Sequence, residues 1–83
     1  MRLRTIQCDG RTWYRNEEGA WETTGEPVLA AWDYAGVRPW VWVNLSAPFG
    51  SDLRDEHAGF RTLRDAMRAA VRATRMATLL APR

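Results

Sequence analysis

The chain has 83 residues, with 46% hydrophobic and 11% aromatic side chains and a formal net charge of +2. This length fits one domain, residues 1–83, which buries only about 60–65% of the surface that its unfolded form exposes. A single cysteine, Cys8, excludes an internal disulfide, and with one histidine we expect no zinc site from this chain alone. No stretch approaches the roughly 18 apolar residues of a membrane-spanning helix, so we expect a cytoplasmic protein.

Short strand-like runs fill the first part of the chain. They are residues 3–7, 12–15 and 20–24. The dipeptide Asp9-Gly10, between the first two runs, is typical of a tight β-hairpin turn. Aromatic side chains favour the second run as a strand. We therefore expect residues 1–45 to form β-hairpins.

The clearest hairpin is predicted at the end of this region. Its strands are residues 28–34 and 40–45. We expect Tyr34 to pair with Trp40, which places Trp32 opposite Trp42. This register predicts one face formed by these four aromatic residues and one aliphatic face, and a shift by one residue would destroy the pattern.

The remaining segments are a polar stretch and a helix. Residues 46–59 are predicted to form a connecting loop, and residues 60–80 to contain the helix. Thr62 and Asp65 have the spacing of a capping box, and no glycine or proline occurs between residues 63 and 80. We expect the small and apolar side of this helix to pack on the aromatic face of the sheet. This side carries Leu63, Ala66, Met67, Ala70, Val71, Thr74 and Ala77.

These elements predict an α+β fold. We expect a small, mainly antiparallel sheet of three to five strands, followed by one C-terminal helix packed on it. With a single substantial helix, one face of the sheet would stay open unless the N-terminal strands fold over it to form a small barrel or sandwich. An open apolar face would favour a homodimer or a docked partner.

Charge is segregated along the chain. Residues 1–59 carry six arginines against nine acidic residues, whereas residues 60–83 carry six arginines against Asp65 alone. All twelve cationic residues are arginine, which reflects either genomic base composition or a demand for planar recognition of phosphate or carboxylate. Within the predicted helix, one stripe about 80° wide carries four of them. These are Arg64, Arg68, Arg72 and Arg75, and Arg61 joins them if the helix begins one turn earlier.

Residues 59–66 read Gly-Phe-Arg-Thr-Leu-Arg-Asp-Ala. This string resembles the sheet-to-helix junction of small sheet-plus-helix modules, including the arm-binding domains of tyrosine integrases. It covers eight residues and is a general way to start a helix after a sheet. No family follows from it.

The arginine stripe has several interpretations. It is either a solvated helix face or a surface that binds something acidic, because neighbouring arginines at i,i+4 repel one another. The first candidate for an acidic ligand of this stripe is a nucleic-acid backbone. The second is an acidic partner protein or a second copy of this chain, with the protein acting as an inhibitor or adaptor. Small proteins of phages and mobile elements, anti-CRISPR proteins among them, often act in this way, and the analogy is one of size alone.

The aromatic residues of the sheet offer a further interpretation. Trp32, Tyr34, Trp40 and Trp42 are candidate contacts on the sheet face. Aromatic side chains beside arginines can stack the bases of single-stranded nucleic acid. The more common role of tryptophan in so short a chain is to fill the core.

Catalytic residues are not evident. His57 lies near Asp52, Asp55 and Glu56, a cluster that could hold a hard cation or transfer protons. No glycine-rich cation loop supports this, and a solvated acidic loop explains the same residues. Cys8 is predicted to be a small buried residue near a strand end. We therefore predict a non-enzymatic binding protein without metal, cofactor or small-molecule substrate.

Overall fold

The computed structural model describes residues 4–36 and 38–80 of the chain. The first two strands, β1 (Thr5–Cys8) and β2 (Arg11–Arg15), form an antiparallel pair. Asp9 and Gly10 connect them with φ angles of 51° and 79°. Positive φ at both central residues is the mark of a type I′ turn, which glycine and aspartate tolerate. The predicted hairpin is confirmed here, although Leu3, its predicted first residue, lies outside the described residues.

Four more strands extend the same sheet. They are β3 (Trp21–Thr23), β4 (Leu29–Asp33), β5 (Trp40–Asn44) and β6 (His57–Phe60). Their order in the sheet is β1-β2-β3-β4-β5-β6, and every pair is antiparallel. The helix α1 (Leu63–Leu80) follows the last strand. The predicted antiparallel sheet with a C-terminal helix is confirmed, whereas the predicted strand count of three to five is too low.

His57, Ala58 and Gly59 of the sixth strand lie in the segment that was predicted to be a connecting loop, residues 46–59, and its last residue, Phe60, lies in the segment 60–80 that was predicted to be helical. A short 3₁₀ helix at Asp52–Arg54 precedes this strand. In β6, His57 pairs with Trp42 and Phe60 with Trp40, so β6 carries one residue more than β5 between the two pairs. Gly59, with φ of 98°, provides the conformation that such a bulge requires. A short, bulged edge strand has no regular alternation of apolar residues, which is why the sequence pattern missed it.

The register of β4 and β5 differs by one residue from the predicted one. Ala31 pairs with Trp42 and Asp33 with Trp40. The backbone N–H of Tyr34 donates to the carbonyl oxygen of Pro39 at 2.8 Å. Tyr34 therefore lies opposite Pro39, one residue before its predicted partner Trp40. Because side chains alternate along a strand, this shift separates the predicted aromatic partners.

The two faces of the sheet follow from this register. The inner face, which lies under α1, includes Trp13, Trp21, Leu29, Ala31 and Trp42. The back face includes Tyr14, Glu22, Ala30, Trp32, Val41 and Val43. The N-terminal strands extend the sheet rather than fold over it, so the alternative of a barrel or sandwich is wrong.

The helix begins where the capping residues predict. The backbone N–H of Asp65 donates to Oγ1 of Thr62 at 3.1 Å, which makes Thr62 the N-cap. The inward side of α1 is built from small and apolar residues, which allow a close approach to the bulky inner face. The buried ones are Ala66, Met67, Ala70 and Val71, and Leu63 and Thr74 are half-buried. The side chain of Ala77, also predicted to point inward, lies outside the described residues.

The main core lies between α1 and the inner face. Trp13, Leu29 and Met67 are each 0% exposed, and full burial of such a side chain contributes about 1.5–3 kcal/mol. Cys8, at the end of β1, is a free thiol buried in the same core, as predicted.

Part of the back face is covered by the segment after β5. Val41, Val43 and Ala47 are buried. The Arg54 guanidinium donates from Nη1 to the carbonyl oxygens of Leu45, at 2.8 Å, and Ala47, at 3.2 Å. The open face expected from the sequence is therefore only partly open. In the part of the chain that the structure describes, no helix combines the length and apolar character needed to cross a bilayer.

Candidate functional site

The predicted arginine stripe lies on the outer side of α1. Its four members are all exposed: Arg64, Arg68, Arg72 and Arg75. Arg61, which lies two residues before the helix begins, is exposed as well. The 3.6-residue helical period places them on one side of the helix, and they are exposed because the opposite side packs on the sheet. With a rise of 1.5 Å per residue, the stripe extends for about 16 Å along the helix axis.

A further arginine comes from a loop at the end of the sheet. Arg38, in the loop between β4 and β5, lines a concavity of about 520 Å³ together with Arg61, Arg68 and Arg72. Phe60 and Ala69 also line it, and Asp65 brings one carboxylate to its wall. We name Arg38, Arg61, Arg64, Arg68, Arg72 and Arg75 the arginine surface. The sequence pattern missed Arg38 because a loop position has no periodicity that relates it to a distant helix.

Two acidic residues lie near the arginine surface: Asp65 lines the concavity, and Asp9 lines a depression with Arg72 and Arg75. Within residues 4–36 and 38–80, the arginines of this surface form no ion pair, and Arg64 makes a long hydrogen bond from Nη1 to the carbonyl oxygen of Gln7 at 3.4 Å. Arg64, Arg68 and Arg72 are spaced at i,i+4, where like charges repel by a few tenths of a kcal/mol per pair. A ligand with negative charge would remove this repulsion.

A second, more apolar groove lies between α1 and the edge strand β6. The helix contributes Ala69, Arg72, Ala73 and Met76, and the sheet side contributes Trp42, His57, Ala58 and Phe60 together with Glu56, which precedes β6. Phe60, Ala69 and Arg72 also line the arginine-bearing concavity. The groove and the concavity therefore adjoin along this side of the helix, and together we call them the cleft.

His57 and Trp42 both line this groove. Their rings stack with centroids 4.0 Å apart and an interplanar angle of 10°. Nε2 of His57 lies 2.7 Å from the carbonyl oxygen of Asp52, so one ring nitrogen is engaged with the backbone. Among the described residues, no three His, Cys, Asp or Glu side chains are placed to hold a metal ion. Asp52, Asp55 and Glu56 are exposed and precede β6, in line with the solvated acidic segment expected there, whereas His57 itself begins β6.

The four aromatic residues predicted to share a sheet face are divided between the two faces. Trp42 is only 3% exposed, and Trp40 is half-buried against the core. Trp32 and Tyr34 lie together elsewhere, in an edge-to-face contact with centroids 6.3 Å apart, and Tyr34 is 53% exposed. The predicted joint surface is wrong, because the register shift sends Trp42 into the core and leaves Trp32 on the back face.

The back face carries carboxylates. A shallow depression there is lined by Glu18, Glu22 and Asp33, with Trp32 and Leu45. The Tyr14 hydroxyl donates to Oε2 of Glu22 at 3.0 Å. This hydrogen bond, followed by the negative charge of Glu22, raises the pKa of Tyr14 above its ordinary value. The molecule thus presents an acidic surface on the back face and the arginine surface outside the helix.

Comparisons with models of protein families, with curated proteins and with solved structures find no match for this chain. Its function is therefore inferred from the geometry and charge of the arginine surface and of the cleft beside it.

Proposed function

We propose that this protein is a non-enzymatic binding protein whose arginine surface docks on a nucleic-acid backbone. The observation that carries the proposal is the convergence of Arg38, Arg61, Arg68 and Arg72 on one concavity. A helix face that serves only solubility would not require an arginine from the β4–β5 loop at the same place. In this proposal the protein acts in the cytoplasm.

The chemistry of phosphate fits this surface. Guanidinium groups are planar and always charged, and they bind phosphate through paired hydrogen bonds. Arginines four residues apart lie about 6 Å apart along the helix axis, so several phosphates of one strand can be contacted together. The carboxylates of Glu18 and Glu22 lie in the depression on the back face and do not oppose an anionic ligand at the helix.

The salt dependence of binding tests this proposal. Labelled oligonucleotides of random sequence are titrated with protein at about 50 and 200 mM salt, and binding is followed by fluorescence anisotropy. With four phosphate contacts, affinity should fall about 100-fold between the two conditions, because counterion release depends steeply on salt. Absence of binding at the lower salt concentration would contradict the proposal.

Charge reversal locates the binding surface. Arg68→Glu with Arg72→Glu should abolish binding at both salt concentrations. Arg15→Glu is the matched control, because Arg15 is exposed and its guanidinium lies beside Gly19 in the β2–β3 turn. Loss of binding in the control alone would place the site elsewhere on the molecule.

An acidic partner protein, or a second copy of this chain, is the second candidate. The back-face depression favours it, since Glu18, Glu22 and Asp33 complement the arginine surface in charge and Tyr34 and Leu45 are exposed hydrophobic residues on the same side of the sheet. The protein would then act as an inhibitor or adaptor. Sedimentation velocity at low and high salt tests the second-copy form: salt-sensitive dimers that Arg68→Glu disrupts, without oligonucleotide binding, would support this candidate over the first.

A further inference from the structure

We propose that the ligand is single-stranded nucleic acid, with its bases in the groove between α1 and β6 and its phosphates on the arginine surface. This inference rests on the proposed function and specifies which form of nucleic acid the site accepts. Three observations carry it: the adjacency of the groove and the arginine-bearing concavity, the apolar lining of the groove and the small side chains of its helical wall.

The cleft offers charge and apolar surface side by side. Arg72 lines both the arginine-bearing concavity and the groove, and Phe60 and Ala69 lie at the same junction. A nucleotide has the same composition, with an anionic phosphate joined through a sugar to an aromatic base. A strand that lies along the cleft can therefore place its phosphates near Arg61 and Arg68 while its bases contact the groove.

The lining of the groove favours exposed bases over a duplex. A duplex keeps the faces of its bases stacked inside the helix and offers phosphates to a surface of this kind, so the apolar groove would stay unused. A single strand exposes base faces, which pack on aromatic and apolar side chains without regard to sequence. Phe60, His57 and Met76 provide such side chains in this groove. This fits the helix sequence, which contains no asparagine or glutamine to read base edges.

The helical wall leaves room for a base. Ala69 and Ala73 face the groove with single methyl groups, and Ala73 lines the groove without lining the arginine-bearing concavity. A larger residue at position 73 would fill the groove and leave the arginines untouched. Leucine is a strong helix former, so Ala73→Leu blocks the groove without weakening the helix.

The experiment compares strands and variants at about 50 mM salt by fluorescence anisotropy. The probes are a labelled single-stranded DNA of mixed sequence, the RNA strand of the same sequence and the DNA duplex. We expect at least one single strand to bind about 10-fold more tightly than the duplex, and Ala73→Leu and Phe60→Ala each to weaken that binding about 10-fold, the usual effect of losing one stacking contact. Ala73→Leu, which changes a residue outside the arginine-bearing concavity, should leave binding of the duplex unchanged. The DNA and RNA arms show which strand the cleft prefers.

Phe49→Ala is the matched control for Phe60→Ala. Phe49 is 84% exposed and lies over the Arg54 guanidinium at 4.1 Å, outside both linings of the cleft, so its removal should leave binding of every probe unchanged. If Phe60→Ala fails to fold by circular dichroism, Ala73→Leu decides the question. Equal affinity for strand and duplex, or strand binding that Ala73→Leu leaves intact, would overturn this inference while the proposed function stands. Absence of binding to all three probes would overturn both.

Discussion

The inner and back faces of the sheet are built from the same strands, yet they serve different purposes. On the inner face, Trp13 and Trp42 are 0% and 3% exposed because α1 covers them. On the back face, Tyr34 is 53% exposed and Glu22 pairs with Tyr14. Alternation along a strand guarantees two different faces, but it does not state which one a helix will cover. Val41 and Val43 on the back face are nevertheless 1% and 5% exposed, so coverage by other segments, and not hydrophobicity alone, separates core from surface in so small a protein.

The largest expected effect tests whether Trp32 and Trp42, which lie on opposite faces of the β4–β5 hairpin, contribute unequally to stability. Trp42→Ala should lower the free energy of unfolding by about 3–5 kcal/mol, because it empties a packed core site. Trp32→Ala should cost about 1.5 kcal/mol, since a half-buried side chain contributes about half as much. Urea denaturation followed by circular dichroism measures both. Equal losses would mean that the two faces are equally buried.

A second effect concerns buried hydrogen bonds on the inner face. Oγ1 of Thr23, which is 3% exposed, accepts the backbone N–H of Leu29 at 2.9 Å. Thr23→Val leaves that buried N–H without its acceptor and should lower the free energy of unfolding by about 1–3 kcal/mol.

Thr12 is the matched threonine on the back face. Its Oγ1 accepts a hydrogen bond from Gln7 Nε2 at 2.7 Å in an exposed setting. Thr12→Val should change the free energy of unfolding by about 0.5 kcal/mol or less, because water replaces the lost partner. Urea denaturation of the Thr23→Val and Thr12→Val variants checks the pair. A larger loss for Thr12→Val would reverse the assignment of the two faces.

The smallest effect is a titration on the back face. The hydrogen bond from Tyr14 to Glu22 raises the pKa of Tyr14 above 10.0 in the folded chain. The contribution of this hydrogen bond to stability is therefore complete below pH 10.0 and is lost as the pH rises through the pKa of Tyr14 in the folded chain. In a Tyr34→Phe background, the ultraviolet absorbance of the phenolate reports Tyr14 alone, and Glu22→Gln should lower its midpoint toward 10.0. An unchanged midpoint would show that Glu22 does not act on Tyr14.

Much of the local structure could be predicted from short stretches of sequence. Asp9-Gly10 predicted its turn and Thr62 its helix start, because each depends on backbone conformations set within about four residues. The exposure of the arginine stripe followed from helical periodicity in the same way. The register of β4 and β5 could not be obtained from alternation alone, since the shift at Asp33 and Trp40 depends on where the intervening loop closes.

The amino-acid sequence by itself therefore determined the hairpins, the helix and the side of the helix that carries arginines, since these depend on neighbours along the chain. Only the tertiary structure decided that β6 adds an edge strand, that Trp32 and Trp42 lie on opposite faces, and that Arg38 joins Arg61 and Arg68. The physical reason is the same in each case. These arrangements depend on segments that are distant in the chain and meet only when the sheet and helix pack, so no local pattern contains them.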